Sequence, residues 1–365
     1  MRVAIIGTGL IGSSLGLALQ ETHEVEAVTG YDRDPDRLAT ALNRGALTSA
    51  ALDPAGAVAD ADLVVLAVPV SAVGAVAGAI AGTLRSGTIV TDVASVKTGV
   101  VSTLQQALPP DVWLVGGHPM AGSHEAGPEH ASAELFVGAT YLLTPTTHTD
   151  PDAYRTLHRL VAGIGARPMA VDPVHHDRLV AVISHLPQLA ATTLMNLASE
   201  QAQRQHAGLL LLAAGGFRDA TRVAASNPDL WLDICAENRD AIVAVLDDYA
   251  SRLEELRRIV ADADDARLHE TLVTAQHARR GLPRKTVKGG GLIELNLPIP
   301  DRPGVLAEVT TSVGVTGVNI EDFSIDHAAE GGRGALRLIV AGTANAATAA
   351  AALKERGYDV RERRL

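Results

Sequence analysis

The chain has 365 residues, 47% of them hydrophobic and 20% charged, the balance of a folded protein too long for a single ordinary core. A net charge of −11 argues against nucleic acid and anionic membrane surfaces as partners, and a lone cysteine, Cys235, rules out an intrachain disulfide and fits a reducing compartment. Strand-like sequence begins at Val3 with no basic, apolar leader before it, so a cytoplasmic protein is expected.

Over the first 170 residues, short apolar runs alternate with helical stretches. Val3–Ile6, Glu26–Tyr31, Leu63–Val68, Thr88–Thr91, Trp113–Val115 and Tyr141–Leu143 read as strands. Near-continuous apolar strands separated by helices predict an α/β fold: a mostly parallel, doubly wound sheet covered on both faces, over residues 1–171. The uncharged stretch Leu63–Leu84 is long enough to raise the question of a membrane span. Pro69, Ser71 and three glycines interrupt it, so strand, turn and helix explain it better.

The first strand runs into Gly7-Thr8-Gly9-Leu10-Ile11-Gly12, a G-x-G-x-x-G sequence that opens a helical stretch. Gly7 permits the tight turn, Gly9 lets the backbone approach a pyrophosphate, and Gly12 lets helix and strand pack closely. The amides of the first helical turn, Leu10 and Ile11 among them, then face the phosphates. Asp32 closes the second strand, where an acid hydrogen-bonds the adenosine ribose and repels a 2′-phosphate. This favours NAD over NADP, although Arg33 beside it is a residue that suits a phosphate. Val68-Pro69 ends a later strand and falls on the nicotinamide side, because ligands sit outside the carboxyl ends of such strands. An NAD-dependent oxidoreductase follows.

Two loops are expected at that same end of the sheet. One is Asp92-Val93-Ala94-Ser95-Val96-Lys97 after TIVT; the other is Gly116-Gly117-His118-Pro119-Met120-Ala121-Gly122 after VWLV. A histidine there is the natural acid/base partner for hydride transfer from a carbinol carbon, which singles out His118. Pro119 holds His118 in an extended conformation. His118, His124 and His130 recur at intervals of six, which fits neither one helix face nor a metal-ligand spacing, so no metal site is expected.

From about Pro173 to about Arg280 the pattern is almost wholly helical. It opens with His175-His176-Asp177 and Ser184-His185-Leu186-Pro187, and later carries Gly215-Gly216-Phe217-Arg218-Asp219-Ala220-Thr221-Arg222. Arginines there suit carboxylates; Arg222 is the candidate clamp, and Arg218 reads as a solvated helix start. Leu230, Ile234, Ile242, Val245, Leu246, Leu253, Leu256 and Ile259 recur at helical spacing. They predict an all-helical domain over 172–280 that packs against a copy of itself in a homodimer. Residues 281–291, GLPRKTVKGGG, read as a linker. Residues 292–365 read as β-α-β-β-α-β, a small ferredoxin-like α+β domain.

Taken together, GTGLIG, the DVASVK loop, GGHPMAG, the HHD and SHLP segments and GGFRDATR resemble the prephenate dehydrogenase family with its arogenate-using relatives, in order over residues 1 to about 280. Asp301-Arg302-Pro303-Gly304-Val305-Leu306 and Val318-Asn319-Ile320 resemble an ACT domain, a module that usually binds an amino acid between two copies. The resemblance implies NAD-dependent oxidative decarboxylation of prephenate to 4-hydroxyphenylpyruvate. It implies that His118 hydrogen-bonds the substrate hydroxyl with Ser95 beside it, and that Arg222 pairs with the ring carboxylate. Ser184, His185 and Asp177 would support the pocket. It also implies feedback control, with tyrosine as the expected effector near Asp301, Gly304, Val305, Asn319 and Ile320; a purely structural oligomerisation domain is the alternative. Two positions depart from the family's pattern: His124 stands where an acid is frequent, and Gln188 where a histidine often follows SHLP. Both touch side-chain recognition and leave prephenate and arogenate open as substrates. A β-hydroxyacid dehydrogenase would be expected to use a lysine of the helical region, and Val174–Ala275 contains none. A non-catalytic sensor would be expected to lack the histidine and arginine that are present.

Overall fold

The computed structural model describes residues 1–122, 125–204, 208–282, 292–300, 302, 304–326 and 333–364. The chain divides into two units, Met1–Leu282 and Pro283–Leu365.

The first unit opens with six parallel strands in the order β3-β2-β1-β4-β5-β6. They are β1 (Arg2–Ile6), β2 (Ala27–Tyr31), β3 (Ser49–Ala50), β4 (Leu63–Leu66), β5 (Ile89–Asp92) and β6 (Trp113–Leu114). Helices α1 (Leu10–Gln20), α2 (Pro35–Asn43), α3 (Pro54–Val58), α4 (Val73–Ala81) and α5 (Thr98–Ala107) connect them. Alternate side chains of a strand point to opposite faces. Val3 and Ile5 therefore enter one core with Leu15 and Leu19, while Ala4 and Ile6 enter a second with Val73, Ala77 and Ile80. Burial on both faces is why these strands read as continuous apolar runs. Strand order reverses between β1 and β4, and a ligand crevice forms outside the carboxyl ends at such a point.

After β6 the chain enters a separate three-stranded sheet of β7 (Gly116–Pro119), β8 (Thr140–Thr144) and β9 (Arg167–Ala170), with α6 (Pro151–Gly163) before β9. β7 runs antiparallel to β8, and β8 parallel to β9. This corrects the sequence reading, which takes the GGHPMAG segment as a loop. His118 is a strand residue, paired with Leu142. Two successive glycines carry no apolar signature, yet they let β7 lie against β5: a Cβ on Gly117 would stand 2.6 Å from the Asp92 carbonyl oxygen and 2.9 Å from Thr91 Oγ1.

The helical part comprises α7 (Pro173–Val180), a π-helical turn over Ala181–His185, α8 (Leu186–Arg204), α9 (Gly215–Thr221), α10 (Pro228–Glu237), α11 (Arg239–Ala261) and α12 (Asp265–Arg280). Asp172 caps α7 by accepting the His175 amide at 2.9 Å, and Asn227 caps α10 by accepting that of Asp229 at 2.9 Å, each before a helix-opening proline. The periodic series from Leu230 to Ile259 is two helices, divided at Asn238. Ala181, Ile234 and Ile242 join the second core of the parallel sheet, so the helices lock onto that face. Leu232, Leu253 and Val260 of α10 and α11 remain 69%, 48% and 59% exposed on the single chain.

The second unit holds β10 (Leu292–Pro300), α13 (Val305–Gly314), β11 (Ile320–Asp326), β12 (Arg333–Ala341), α14 (Thr343–Glu355) and β13 (Arg361–Arg364). Its antiparallel sheet has the order β11-β12-β10-β13. Leu295, Leu297, Leu336 and Leu338 pack on Val309, Val313, Ala346 and Leu353 of the helices. Gly304 precedes α13 with φ +87°, a conformation open to glycine, and Val305 behind it is buried. Asn319 is exposed and Ile320 half-buried, at the turn into β11. Asp301 lies outside the described residues, as do 283–291 of the predicted linker.

Candidate active site

The crevice begins at the glycine loop between β1 and α1. Gly7 has φ +98°, and a Cβ there would stand 2.3 Å from the Ala67 carbonyl oxygen; one on Gly12 would stand 2.0 Å from the Gly7 carbonyl oxygen. Both positions are sterically closed to any side chain. Gly9 differs. It caps α1 without a side-chain hydrogen bond, and a Cβ there would meet nothing within 4 Å. The amides of the first turn, at Leu10, Ile11 and Gly12, precede the first intrahelical donor, Ser13, which bonds the Gly9 carbonyl at 3.0 Å. An open, side-chain-free helix N-terminus is the cradle a dinucleotide pyrophosphate requires, and these residues fit it.

Asp32 holds this loop in place. Its Oδ2 accepts from the Thr8 amide at 2.7 Å and the Thr8 hydroxyl at 3.2 Å, while Oδ1 accepts from the Asp34 amide at 2.9 Å. Oδ1, with a single donor, keeps a further lone pair for a ribose hydroxyl. Arg33 is exposed, and Val68 and Pro69 follow β4 at the same end of the sheet.

Beside the crevice is a buried polar cluster. Asp92, at the end of β5, is wholly buried; its Oδ2 accepts from the Ala94 amide at 2.9 Å and from Lys97 Nζ, and its Oδ1 from the Gly117 amide at 3.1 Å. Lys97 is also wholly buried, and burial lowers its ammonium below the usual lysine range against the opposing pull of Asp92. Asp92 thus ties the β5–α5 loop to β7 directly beneath His118. Ser95 is half-buried on that loop.

His118 is buried, with Nδ1 2.9 Å from Nε2 of His176. His176 Nδ1 lies 2.8 Å from Asp177 Oδ1. That carboxylate also accepts the Lys97 amide on Oδ1 and the Thr98 amide on Oδ2, both at 2.8 Å. Burial opposes its ionisation, but the hydrogen bonds from His176, Thr98 and Lys97 prevail, and its pKa is lowered. Burial first, then the Lys97 ammonium and the rings of His176 and His185, hold His118 well below its ordinary 6.5, with Asp177 opposing. His118 is therefore a neutral imidazole at pH 7, able to take a proton. His185 closes the cluster: Asn238 Nδ2 donates to the Asp177 carbonyl at 2.8 Å and lies 3.2 Å from His185 Nδ1, and Trp231 meets the His185 ring edge-on. Burial lowers His185 to about 4.

Of the remaining predicted residues, Ser184 is half-buried on the π turn that also carries His185. Such turns are frequent at functional sites. Gln188 is buried on α8 and accepts from the Ser226 hydroxyl at 3.4 Å. Arg222 is exposed on the short 3₁₀ turn Arg222–Ala225 just before Ser226, and Arg218, also exposed, donates to the Ala213 carbonyl at 3.1 Å. His124 lies outside the described residues. Among those residues, no group of three or more histidine, cysteine, aspartate or glutamate side chains is arranged to hold a metal ion. The sequence reading singles out His118 and Asp177 but assigns no part to Asp92, Lys97, His176, Trp231 or Asn238. The DVASVK and HHD strings contain three of them, and the place of those strings in the family's pattern is the signal that could have found them.

The family model described as prephenate dehydrogenase, nucleotide-binding domain, matches residues 15–170; that described as prephenate dehydrogenase, dimerization domain, matches 172–274. Prephenate dehydrogenase of Bacillus subtilis is 33% identical over 92% of this chain and 91% of its own length. Cyclohexadienyl dehydrogenase of Zymomonas mobilis is 41% identical over 77% of this chain and 96% of its own. The crystal structure of Aquifex aeolicus prephenate dehydrogenase in complex with hydroxyphenyl propionate and NAD+ superposes with a TM-score of 0.72 at 29% identity, covering 77% of this chain and 97% of that one.

Proposed function

The chain belongs to the prephenate dehydrogenase family, and from that premise we propose that it oxidatively decarboxylates prephenate to 4-hydroxyphenylpyruvate with NAD. The observation that carries the chemistry is the buried His118 on β7, linked through His176 to Asp177, in the same α/β unit as an open dinucleotide cradle. NAD supplies the hydride acceptor. His118 accepts the hydroxyl proton as hydride leaves the carbinol carbon, and returns it to the phenolic oxygen. The bond to the ring carboxylate breaks, its electron pair completes the aromatic ring, and carbon dioxide departs. Aromatisation drives the reaction, so the protein's task is orientation and polarisation. Ser95 orients the hydroxyl beside His118. Arg222 pairs with the ring carboxylate, and Ser184, His185, Asp177 and Gln188 line the pocket. Gly7, Gly9, Leu10, Ile11 and Gly12 hold the pyrophosphate, Asp32 the adenosine ribose, and Val68 and Pro69 border the nicotinamide.

Arogenate, with an alanyl in place of the pyruvyl side chain, is the second reading. Gln188 leaves both substrates open, because its uncharged amide does not repel the ammonium group of arogenate. We assign residues 1–171 to cofactor binding, 172–280 to substrate binding and dimerisation, 281–291 to a linker and 292–365 to an ACT-type regulatory domain with tyrosine as effector. The similarity to the B. subtilis enzyme extends over 92% of the chain and so into this last segment, which supports a shared role for it. No described helix is long and apolar enough to cross a membrane, in keeping with a cytoplasmic enzyme. The test is NADH formation from prephenate and from arogenate, with NAD or NADP, with and without tyrosine. Rapid reduction of NAD by prephenate, slowed by tyrosine, is expected. Preference for arogenate would move the specificity to Gln188 and His124, and inertness toward both would overturn the assignment.

A further inference from the structure

We propose that His176 and Asp177 form a relay that fixes the tautomer of His118, holding its proton on Nδ1 and leaving Nε2 as the acceptor that faces the substrate hydroxyl. This deepens the reading of His118 as the base and rests on it. The direction of the relay follows from donors that cannot reverse. The backbone amides of Lys97 and Thr98 can only donate, and they occupy both oxygens of Asp177 at 2.8 Å. They stand at the N-terminal end of α5, where a helix favours a negative charge. Asp177 is thus held as a carboxylate, an acceptor only. Its third partner, His176 Nδ1 at 2.8 Å, must therefore carry a hydrogen. A neutral imidazole protonated on Nδ1 has its lone pair on Nε2. His176 Nε2 lies 2.9 Å from His118 Nδ1, so His118 donates there and keeps its own lone pair on Nε2. Among the described residues that Nε2 has no hydrogen-bond partner, and the ring retains 8% exposure.

The arrangement has no freedom to invert. His176 is wholly buried and Asp177 nearly so. Asn238 donates to the Asp177 backbone carbonyl at 2.8 Å, which pins α7 to the start of α11. As His118 takes the hydroxyl proton, its Nδ1–H stays in place and the new positive charge is stabilised through two hydrogen bonds by Asp177. The logic is that of an aspartate orienting a catalytic imidazole, extended by one ring. The charged and titratable groups that act on His118 are Lys97, His176, His185 and Asp177.

Two measurements test this on the full chain. The first is nitrogen NMR of the histidine-labelled, NAD-loaded protein at neutral pH, with His118→Asn and His176→Gln used for assignment. His118 and His176 should both show a protonated Nδ1 and an unprotonated Nε2. A proton on His118 Nε2 would overturn the relay. This reading is made on the protein itself, so it decides the relay separately from the identity of the substrate. The second compares variants. His176→Phe should lower kcat about 100-fold with KM for NAD unchanged, whereas His176→Gln, whose Oε1 can accept from His118 Nδ1, should retain kcat within about tenfold of the parent. Equal losses in both variants, with the acid limb of the pH profile unmoved, would show a merely structural role and contradict the proposal.

Discussion

At the scale of single residues, two glycines and three histidines are decisive. Gly7 and Gly9 belong to one motif but serve different ends, and substitution separates them. Gly7→Ala places a Cβ 2.3 Å from a carbonyl oxygen at a positive φ and should destabilise the fold by about 1–3 kcal/mol, read as a lowered urea midpoint. Gly9→Ala adds a Cβ that meets no protein atom within 4 Å. It should leave the midpoint unchanged and weaken NAD binding at least tenfold, seen by titration; equal NAD affinity would remove the pyrophosphate from that helix end. The histidines make stability depend on pH. The folded pKa of His185 is about 4 and that of His118 also lies below the ordinary 6.5, so between those values the unfolded chain binds more protons than the folded one. Their contribution is full above pH 6.5 and is lost as pH falls toward about 4. Denaturation midpoints should fall through that window, and a His185→Gln variant should fall less. His118 was legible in the sequence because glycines and a proline frame it after a strand. His176 was not, because its meaning lies in a contact across 58 residues of chain.

At the scale of elements, the informative departure is β7. The four residues Gly116–Pro119 contain no β-branched side chain and no Phe, Tyr or Trp, so pattern alone assigns them to a loop. They form a strand because the missing side chains allow close approach to β5, where Asp92 accepts the Gly117 amide at 3.1 Å. Gly117→Ala should push β7 away from Asp92. We expect a loss of about 1–3 kcal/mol in stability together with a fall in kcat, since His118 rides on the same strand. Unchanged turnover in a folded variant would mean that the position of β7 is not critical. The buried strands β1 and β4 were legible for the opposite reason: RVAII and LVVL have little other stable fate than a covered parallel sheet. The strands β3 and β9 are mostly exposed and too short to leave a strand pattern.

At the scale of the whole molecule, the apolar residues of α10 and α11 have two fates. Ile234, Ile242 and Ile259 are buried within the chain, whereas Leu232, Leu253 and Val260 are not. The sequence pattern gave their periodicity but could not divide them, because helical spacing does not say which face meets the chain's own core and which meets another copy. If the exposed set forms the dimer surface, the parent chain should sediment as a dimer and Leu253→Glu as a folded monomer; a dimer in both would place the interface elsewhere. The net charge of −11 opposes an anionic substrate, which the proposed pairing with Arg222 would offset locally. The most direct test of the central claim compares the parent enzyme with His118→Asn, following NADH formation from prephenate alongside NAD binding. The account predicts rapid NADH formation by the parent, a loss of about 100-fold or more in the variant, and unchanged NAD affinity. Near-normal turnover by His118→Asn would contradict it.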